Sequence, residues 1–413
     1  MDFKRLSSSL LFRIILAIIL GIICSLFFPV WLARVFVTFN SLFGNFLGFF
    51  IPVLIFALIT PAIAGLGRGA GKWLAITTGI AYGSAVVSGL ISWAVAMLAY
   101  PILLNNQGDV AVHDVEEGAL ASYIDIQMPA PMEVMTALIL AFVVGVAMTT
   151  VKSDTLYSGV ADLRRVVMKV ISGFIVPLLP LYIFGMFLSL GMNGNLTATL
   201  SAFAKVLVLA IVMSFVLLLL QFLIAGSIAR RNPFSSLKNM MPAYFTALGT
   251  SSSAATIPVT YECARKNDVS QSVAGFTVPL CATIHLSGSM MKITLFAFAI
   301  MFMDGMDIPL TTAIGFILML GVTMVAAPGV PGGAIMAAVG LLSANLGFND
   351  DQVALMIAAY IAIDSFGTAC NVTGDGAIAM VVDRFAKGNI ARTELDDDDD
   401  LGLAAAIEGI EEK

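Results

Sequence analysis

Asp364, Thr368, Asn371 and Asp375 follow one another at spacings of four, three and four residues within AIDSFGTACNVTGDGA. On a helix this spacing puts two carboxylates, a hydroxyl and an amide on one face. The surrounding residues are mostly Ile, Ala, Val and Met, a composition suited to lipid. A charge at the centre of a spanning helix costs about 2.5–3.5 kcal/mol on insertion scales, so such side chains mark functional sites or buried pairs. This face suits a cation or an ammonium group. An interhelical ion pair with Lys292 and a proton relay are the competing readings.

The preceding apolar segment contains LCATIHLSGSMMKIT. His285 and Lys292 are seven residues apart and so lie on similar faces, while Thr283, Ser287, Gly288 and Ser289 predict local unwinding. An unwound helix bares carbonyl oxygens, the hard ligands a small alkali cation needs. Two further interruptions are TSSSAATIPV, rich in hydroxyls, and APGVPGGAI, with flexible glycines and helix-ending prolines. Backbone polar groups cannot face lipid unpaired, so both tips must be buried in protein or line a wet cavity.

Composition identifies the medium. Of 413 residues, 59% are hydrophobic and 12% charged, and the mean hydropathy is +0.97. An ordinary soluble domain is about 45–50% apolar and about 25% charged. Apolar runs of spanning length fall at 10–32, 41–65, 73–101, 131–150, 164–192 and 199–229. An interrupted stretch, 234–270, precedes a span at 272–303; a second, 308–348, precedes a span at 352–384. The first run is longer than a secretory signal's apolar core and reads as a retained helix. With both termini in the cytoplasm, nearly all Lys and Arg fall on the inner side, as the positive-inside rule requires. The acidic loop NNQGDVAVHDVEEGA then faces out. This topology needs the first interrupted stretch to dip in from the cytoplasm and the second from outside. Opposed hairpins, each followed by a full span, form inverted repeats of the transporter kind, with a site near the midplane.

Other chemistries find little support. The four cysteines sit in apolar contexts without metal-ligand spacing, and two histidines are too few for a metal centre. GLGRGAGK lacks phosphate-loop spacing and the hydroxyl residue after Lys. Basic residues are explained by topology, not by nucleic acid, and the acidic tail reads as a solvated segment. Neither an enzyme signature nor a signalling domain is evident. A channel also needs polar midplane residues, but opposed hairpins favour alternating access.

In order, SSSAATIPVT, PLCATIHLSGS, GVPGGAI and DSFGTACNVTGD resemble the dicarboxylate/amino acid:cation symporter family, which contains the glutamate transporter homologues. RRNPFSSLKNMMPAYFTALGTSSSAATIPV is most similar to its bacterial sodium-coupled serine/threonine branch. The resemblance implies an all-α polytopic fold of eight transmembrane helices and two re-entrant hairpins, a homotrimer in the bacterial inner membrane, and elevator motion. Its domains would be scaffold helices one and two (1–72), transport-domain helix three (73–101), an extracellular loop (102–130), scaffold helices four and five (131–192), the transport core (193–390) and a cytoplasmic tail (391–413).

The resemblance also implies roles. Asp364 would receive the substrate's α-ammonium, with Thr368, Asn371, Ser252, Ser253, Ser289 and the backbone of Val330 and Gly332 completing the substrate site. Asp375 would bind sodium with carbonyls of Cys281, His285 and Asn371. A second sodium would use carbonyls of Thr283, Val325 and Ala327. No cofactor is implied beyond these coupling ions. Departures from the family pattern are informative. Gly367 stands where acidic-substrate members carry arginine, which argues for a neutral substrate such as Ser, Thr or Ala, because a buried side-chain carboxylate needs a partner. His285 and Ser287 replace an Asn and an Asp of a third sodium site, expected to be absent or altered, and Leu286 replaces a methionine ligand of the second. Lys292 replaces a tyrosine and Tyr360 an aspartate. The Lys292 ammonium, with His285, is expected to stand in electrostatically for a sodium ion, which opens the way to proton coupling.

Overall fold

The computed structural model describes residues 10–66, 72–104, 121–124, 126–151, 153–192, 196–327 and 331–386. Among these residues the regular structure is helical and no strand occurs. The expected acidic tail and most of the acidic loop lie outside the described residues.

The first two helices depart from the hydropathy reading. Helix α1 (Leu10–Ser25) ends well before residue 32, and α2 (Val30–Leu66) starts at residue 30, not 41. Pro29 carries no amide hydrogen, and its carbonyl accepts from Leu32 and Ala33 to start α2. Next come α3 (Lys72–Leu103), α4 (Val134–Thr150) and α5 (Asp154–Val170), which continues through a π-helical turn (Ile171–Ile175) into α6 (Val176–Met192). Helix α7 (Leu196–Ala229) and the short α8 (Pro233–Asn239) lead into the interrupted half of the chain.

There the helices break where the sequence turns polar. Between α9 (Met241–Thr250) and α10 (Ser253–Lys266), Ser251 takes the left-handed conformation at φ 50°, and the Ser252 hydroxyl caps α10 by accepting from the Ala255 amide at 3.3 Å. Between α11 (Gln271–Ile284) and α12 (Ser287–Met303), His285 and Leu286 are extended or irregular, so the expected unwinding is present. Ala327 ends α13 (Leu310–Ala326), and Gly332, at φ 73°, opens α14 (Gly333–Leu346). The last apolar segment, read above as one span, is two helices. Helices α15 (Asp350–Ala362) and α16 (Asp364–Ala386) meet at a 62° bend around Ile363.

Among the described residues, five runs are long and apolar enough to cross a membrane: Val30–Gly65, Lys72–Leu103, Asp154–Met192, Leu200–Ala229 and Gln271–Met303. The bent α15–α16 pair makes a sixth. The chain is thus a multi-pass membrane protein. Helices α1 and α4, with 16 and 17 residues, are about 24–26 Å long, short of a hydrocarbon core about 30 Å thick.

Packing sorts the helices into two groups. Helix α2 lies along α4 and α5, and α1 along α6. The second group gathers around α16, which packs on α7 and on α9 to α12, while α3 packs on α12. Helices α13 to α15 contact the first group through α2, α6 and α1. Every residue of α12 from Ser287 to Met301 is buried. By contrast, Ile15, Leu16, Ile19, Leu20 and Ile23 of α1 are exposed on an apolar face, as a lipid-facing helix requires.

Candidate functional site

Asp364 is the first residue of α16, where the helix dipole favours a carboxylate. It is only 6% exposed, and both its oxygens are engaged. Gly332, at the start of α14, donates its amide to Oδ2 at 2.9 Å. Lys292, fully buried in α12, donates its ammonium to Oδ1 at 3.2 Å. The competing ion-pair reading of this face is therefore realised. The carbonyls beside the bend are shared acceptors: that of Ile363 also takes the Phe366 and Gly367 amides, and that of Asp364 the Thr368 hydroxyl. Lys292 Nζ lies 3.4 Å and 3.5 Å from the carbonyl oxygens of Ile363 and Asp364. The Tyr360 ring covers the same ammonium with its centroid 3.7 Å away, a cation–π contact.

Gly367 makes room for this lysine. A Cβ at position 367 would overlap Lys292 Cε and Nζ, so the side chain crosses α16 where an arginine stem would begin. That space is not vacant. It holds an ammonium group.

A second network starts from Tyr360. Its hydroxyl is 2.8 Å from Ser289 Oγ, which accepts from Asn371 Nδ2 at 3.2 Å. Asn371 Oδ1 accepts from the amides of Gly288 and Ser289, at 2.7 and 3.4 Å, and so caps the N-terminus of α12. The Thr368 hydroxyl donates to the Asp364 carbonyl at 3.0 Å. Gly332, Asp364, Lys292, Tyr360, Ser289 and Asn371 thus converge on one region between α12 and α16.

Asp375 lies three turns further along α16 and is 1% exposed. His285 Nδ1 donates to its Oδ1 at 2.9 Å, and His285 Nε2 meets Ser84 Oγ of α3 at 3.1 Å. Gln221 of α7 donates to both Ser84 Oγ and Ser287 Oγ, at 3.3 and 2.9 Å. Its other amide atom, Oε1, is buried against Gly374 without a hydrogen-bond donor. A buried acceptor left unpaired is costly unless a cation or water serves it. His285 thus presents its ring to Asp375, a contact that the carbonyl role expected for it did not include.

Other predicted residues are less closely tied to this centre. The described hydrogen bonds of Ser252 stay within its own turn, to Thr250, Ala255 and Thr256. Ser253 is buried in the first turn of α10, a helix that packs on α16. The Cys281 carbonyl accepts from the His285 amide at 2.9 Å. Thr283 and Val325 stand in the last turns of α11 and α13, and Ala327 caps α13; these helix ends, where carbonyls lose their intrahelical donors, belong to helices in contact. Val330 lies outside the described residues. Ser84 and Gln221 were not singled out from sequence. Gln221 was detectable, as the lone amide in VLLLLQFLIAG, whereas Ser84 is one of several small residues in α3.

Comparison with known proteins agrees with this architecture. The sodium:dicarboxylate symporter family matches residues 10–385. Excitatory amino acid transporter 3 of Mus musculus is 34% identical over 205 residues, covering 48% of this chain and 38% of the relative. Excitatory amino acid transporter 1 of Rattus norvegicus is 30% identical over 182 residues, 44% of this chain and 33% of the relative. The matched stretch therefore spans little more than a third of the length of these relatives. Because the family match runs through nearly every described helix, from α1 to α16, the chain belongs to the sodium:dicarboxylate symporter family.

Proposed function

We propose that this protein is a secondary active symporter, not an enzyme, and that it imports a small neutral amino acid of the serine, threonine or alanine kind together with sodium. The observation that carries this reading is the buried Asp364 carboxylate between Lys292 and the Gly332 amide, at the meeting point of two broken helices. A carboxylate there complements an α-ammonium group and rewards its desolvation. The Gly332 amide and the amides at the start of α12 would serve an α-carboxylate on leaving the acceptors they now hold, Asp364 Oδ2 and Asn371 Oδ1. Thr368, Asn371, Ser289, Ser252, Ser253 and Val330 would complete the seat.

Neutral cargo is favoured because Lys292 faces one protein carboxylate and two carbonyls, leaving little hydrogen-bonding capacity for a second substrate carboxylate. Acidic cargo is the second reading. Lys292 lies over Gly367, where the arginine of acidic-substrate members would project, and the matched relatives are named as excitatory amino acid transporters.

Sodium is the second cargo. The unpaired Gln221 Oε1, in the hydrogen-bonded chain that runs through Ser84 and His285 to Asp375, supports a cation in this region, with carbonyls of Cys281, His285 and Asn371 as further ligands. Thr283, Val325 and Ala327 would hold another ion at the two helix ends. The family resemblance supplies the remainder: eight spans with two re-entrant hairpins, a homotrimer in the bacterial inner membrane, cytoplasmic termini, and elevator motion. The two packing groups suit that motion, with α1, α2 and α4 to α6 as scaffold and the helices around α16 as the moving part.

Uptake of radiolabelled serine into proteoliposomes tests the proposal. Saturable accumulation driven by an inward sodium gradient, with counterflow, is expected. Flux that neither saturates nor follows sodium would indicate a channel, and preference for aspartate over serine would select the second reading.

A further inference from the structure

The ammonium of Lys292 has a more complete cage than packing alone would require. It is 0% exposed and meets a carboxylate oxygen, two carbonyl oxygens beside the bend at Ile363, and the face of Tyr360. The other Asp364 oxygen is held at the same time by the Gly332 amide. The seat proposed for an amino acid's ammonium is filled here by an ammonium of the chain itself, and the start of α14 rests against it.

We propose that Lys292 is a tethered substitute for the cargo's ammonium, which neutralises Asp364 whenever the seat is empty and so lets the unloaded carrier return across the membrane without a bound counter-cation. The inference rests on the symport reading above. Its physical basis is that a carboxylate carried through the low-dielectric interior without a cationic partner pays a large desolvation penalty. In the loaded carrier the cargo supplies that partner. After release something else must, and Lys292 is already in place. When cargo takes Asp364, the carbonyls of Ile363 and Asp364 and the Tyr360 ring still face the lysine, so it has somewhere to rest. Gly367 belongs to the same device, because any larger residue there would push the lysine off its seat.

The test separates return of the empty carrier from movement of the loaded one. Exchange, with substrate and sodium on both sides, uses only the loaded form; net uptake into substrate-free vesicles also needs the empty return. For the wild type, net uptake into vesicles holding only a choline salt, with thiocyanate as a permeant anion, is expected to stay within about twofold of uptake into potassium-loaded vesicles. A requirement for internal potassium or sodium would overturn the proposal. In Lys292→Gln, the ratio of net uptake to exchange is expected to fall by about tenfold or more, as befits a charge needed in the empty state. Equal losses of both fluxes, or no loss of either, would overturn it. Absence of sodium-driven exchange in the wild type would instead refute the symport reading.

Discussion

Asp364 and Asp375 lie on one helix, both are buried, and each meets a basic side chain, Lys292 from within α12 and His285 from the break before it. Yet the two pairs are built differently. Around Asp364 much of the cage is backbone: the Gly332 amide at the start of α14, and the carbonyls of Ile363 and Asp364 at a bend. Around Asp375 the described partners are side chains, with His285 held by Ser84, and Ser84 held by Gln221. Backbone at helix ends can change partners when a helix tip shifts. Side chains locked between packed spans stay where they are. Under the proposed function, this contrast would make Asp364 the seat that empties and fills, and Asp375 the site whose frame persists.

The largest expected effect falls on the first acid. Asp364→Asn keeps the shape but leaves Lys292 a buried cation without its carboxylate, and removing one member of such a pair costs about 3–5 kcal/mol. Amino acid binding measured by calorimetric titration should weaken by more than about a hundredfold on that scale. Unchanged affinity would erase the distinction between the two acids. Next is Asp375→Asn, which should raise the sodium concentration for half-maximal uptake by about ten- to a hundredfold, as altering a site's charged ligand does. Substrate affinity at saturating sodium should move only slightly; a comparable loss there would merge the two sites into one.

Two smaller effects sharpen the contrast. Gly367→Ala forces the Lys292 side chain aside, and overpacking of this sort costs about 1–3 kcal/mol. It should lower the melting temperature and reduce net uptake more than exchange, while sparing sodium half-saturation. Ser84→Ala removes a hydrogen bond to His285 worth about 0.5–1.5 kcal/mol. It should shift the sodium half-saturation concentration by about two- to tenfold and leave substrate affinity at saturating sodium alone.

These two neighbourhoods were not equally legible in the sequence. The common face of Asp364, Thr368, Asn371 and Asp375 followed from spacing, because a helix turns at a fixed rate whatever surrounds it. Breaks at Ser251 and at His285–Leu286 were readable because polar residues interrupt apolar runs there. The bend at Ile363 was hidden: AYIAIDSF contains neither glycine nor proline, and α15 simply ends where Asp364 begins a new first turn. The boundary near Pro29 was open to reading, but uninterrupted hydropathy outweighed one proline. Lys292 was recognised as a cation near the site. Its path over Gly367 depended on how α12 crosses α16, which no local pattern encodes.

The central claim is that buried acids on α16 bind an amino acid and a sodium ion as coupled cargo. Serine titrated into the purified wild-type protein at a graded series of sodium concentrations, with choline holding ionic strength constant, tests it most directly. Binding free energies of coupled ligands are linked reciprocally, so the apparent Kd for serine should fall steadily as sodium rises and level off once the ion site is full. A serine Kd that stays the same from sodium-free to saturating sodium would contradict the account.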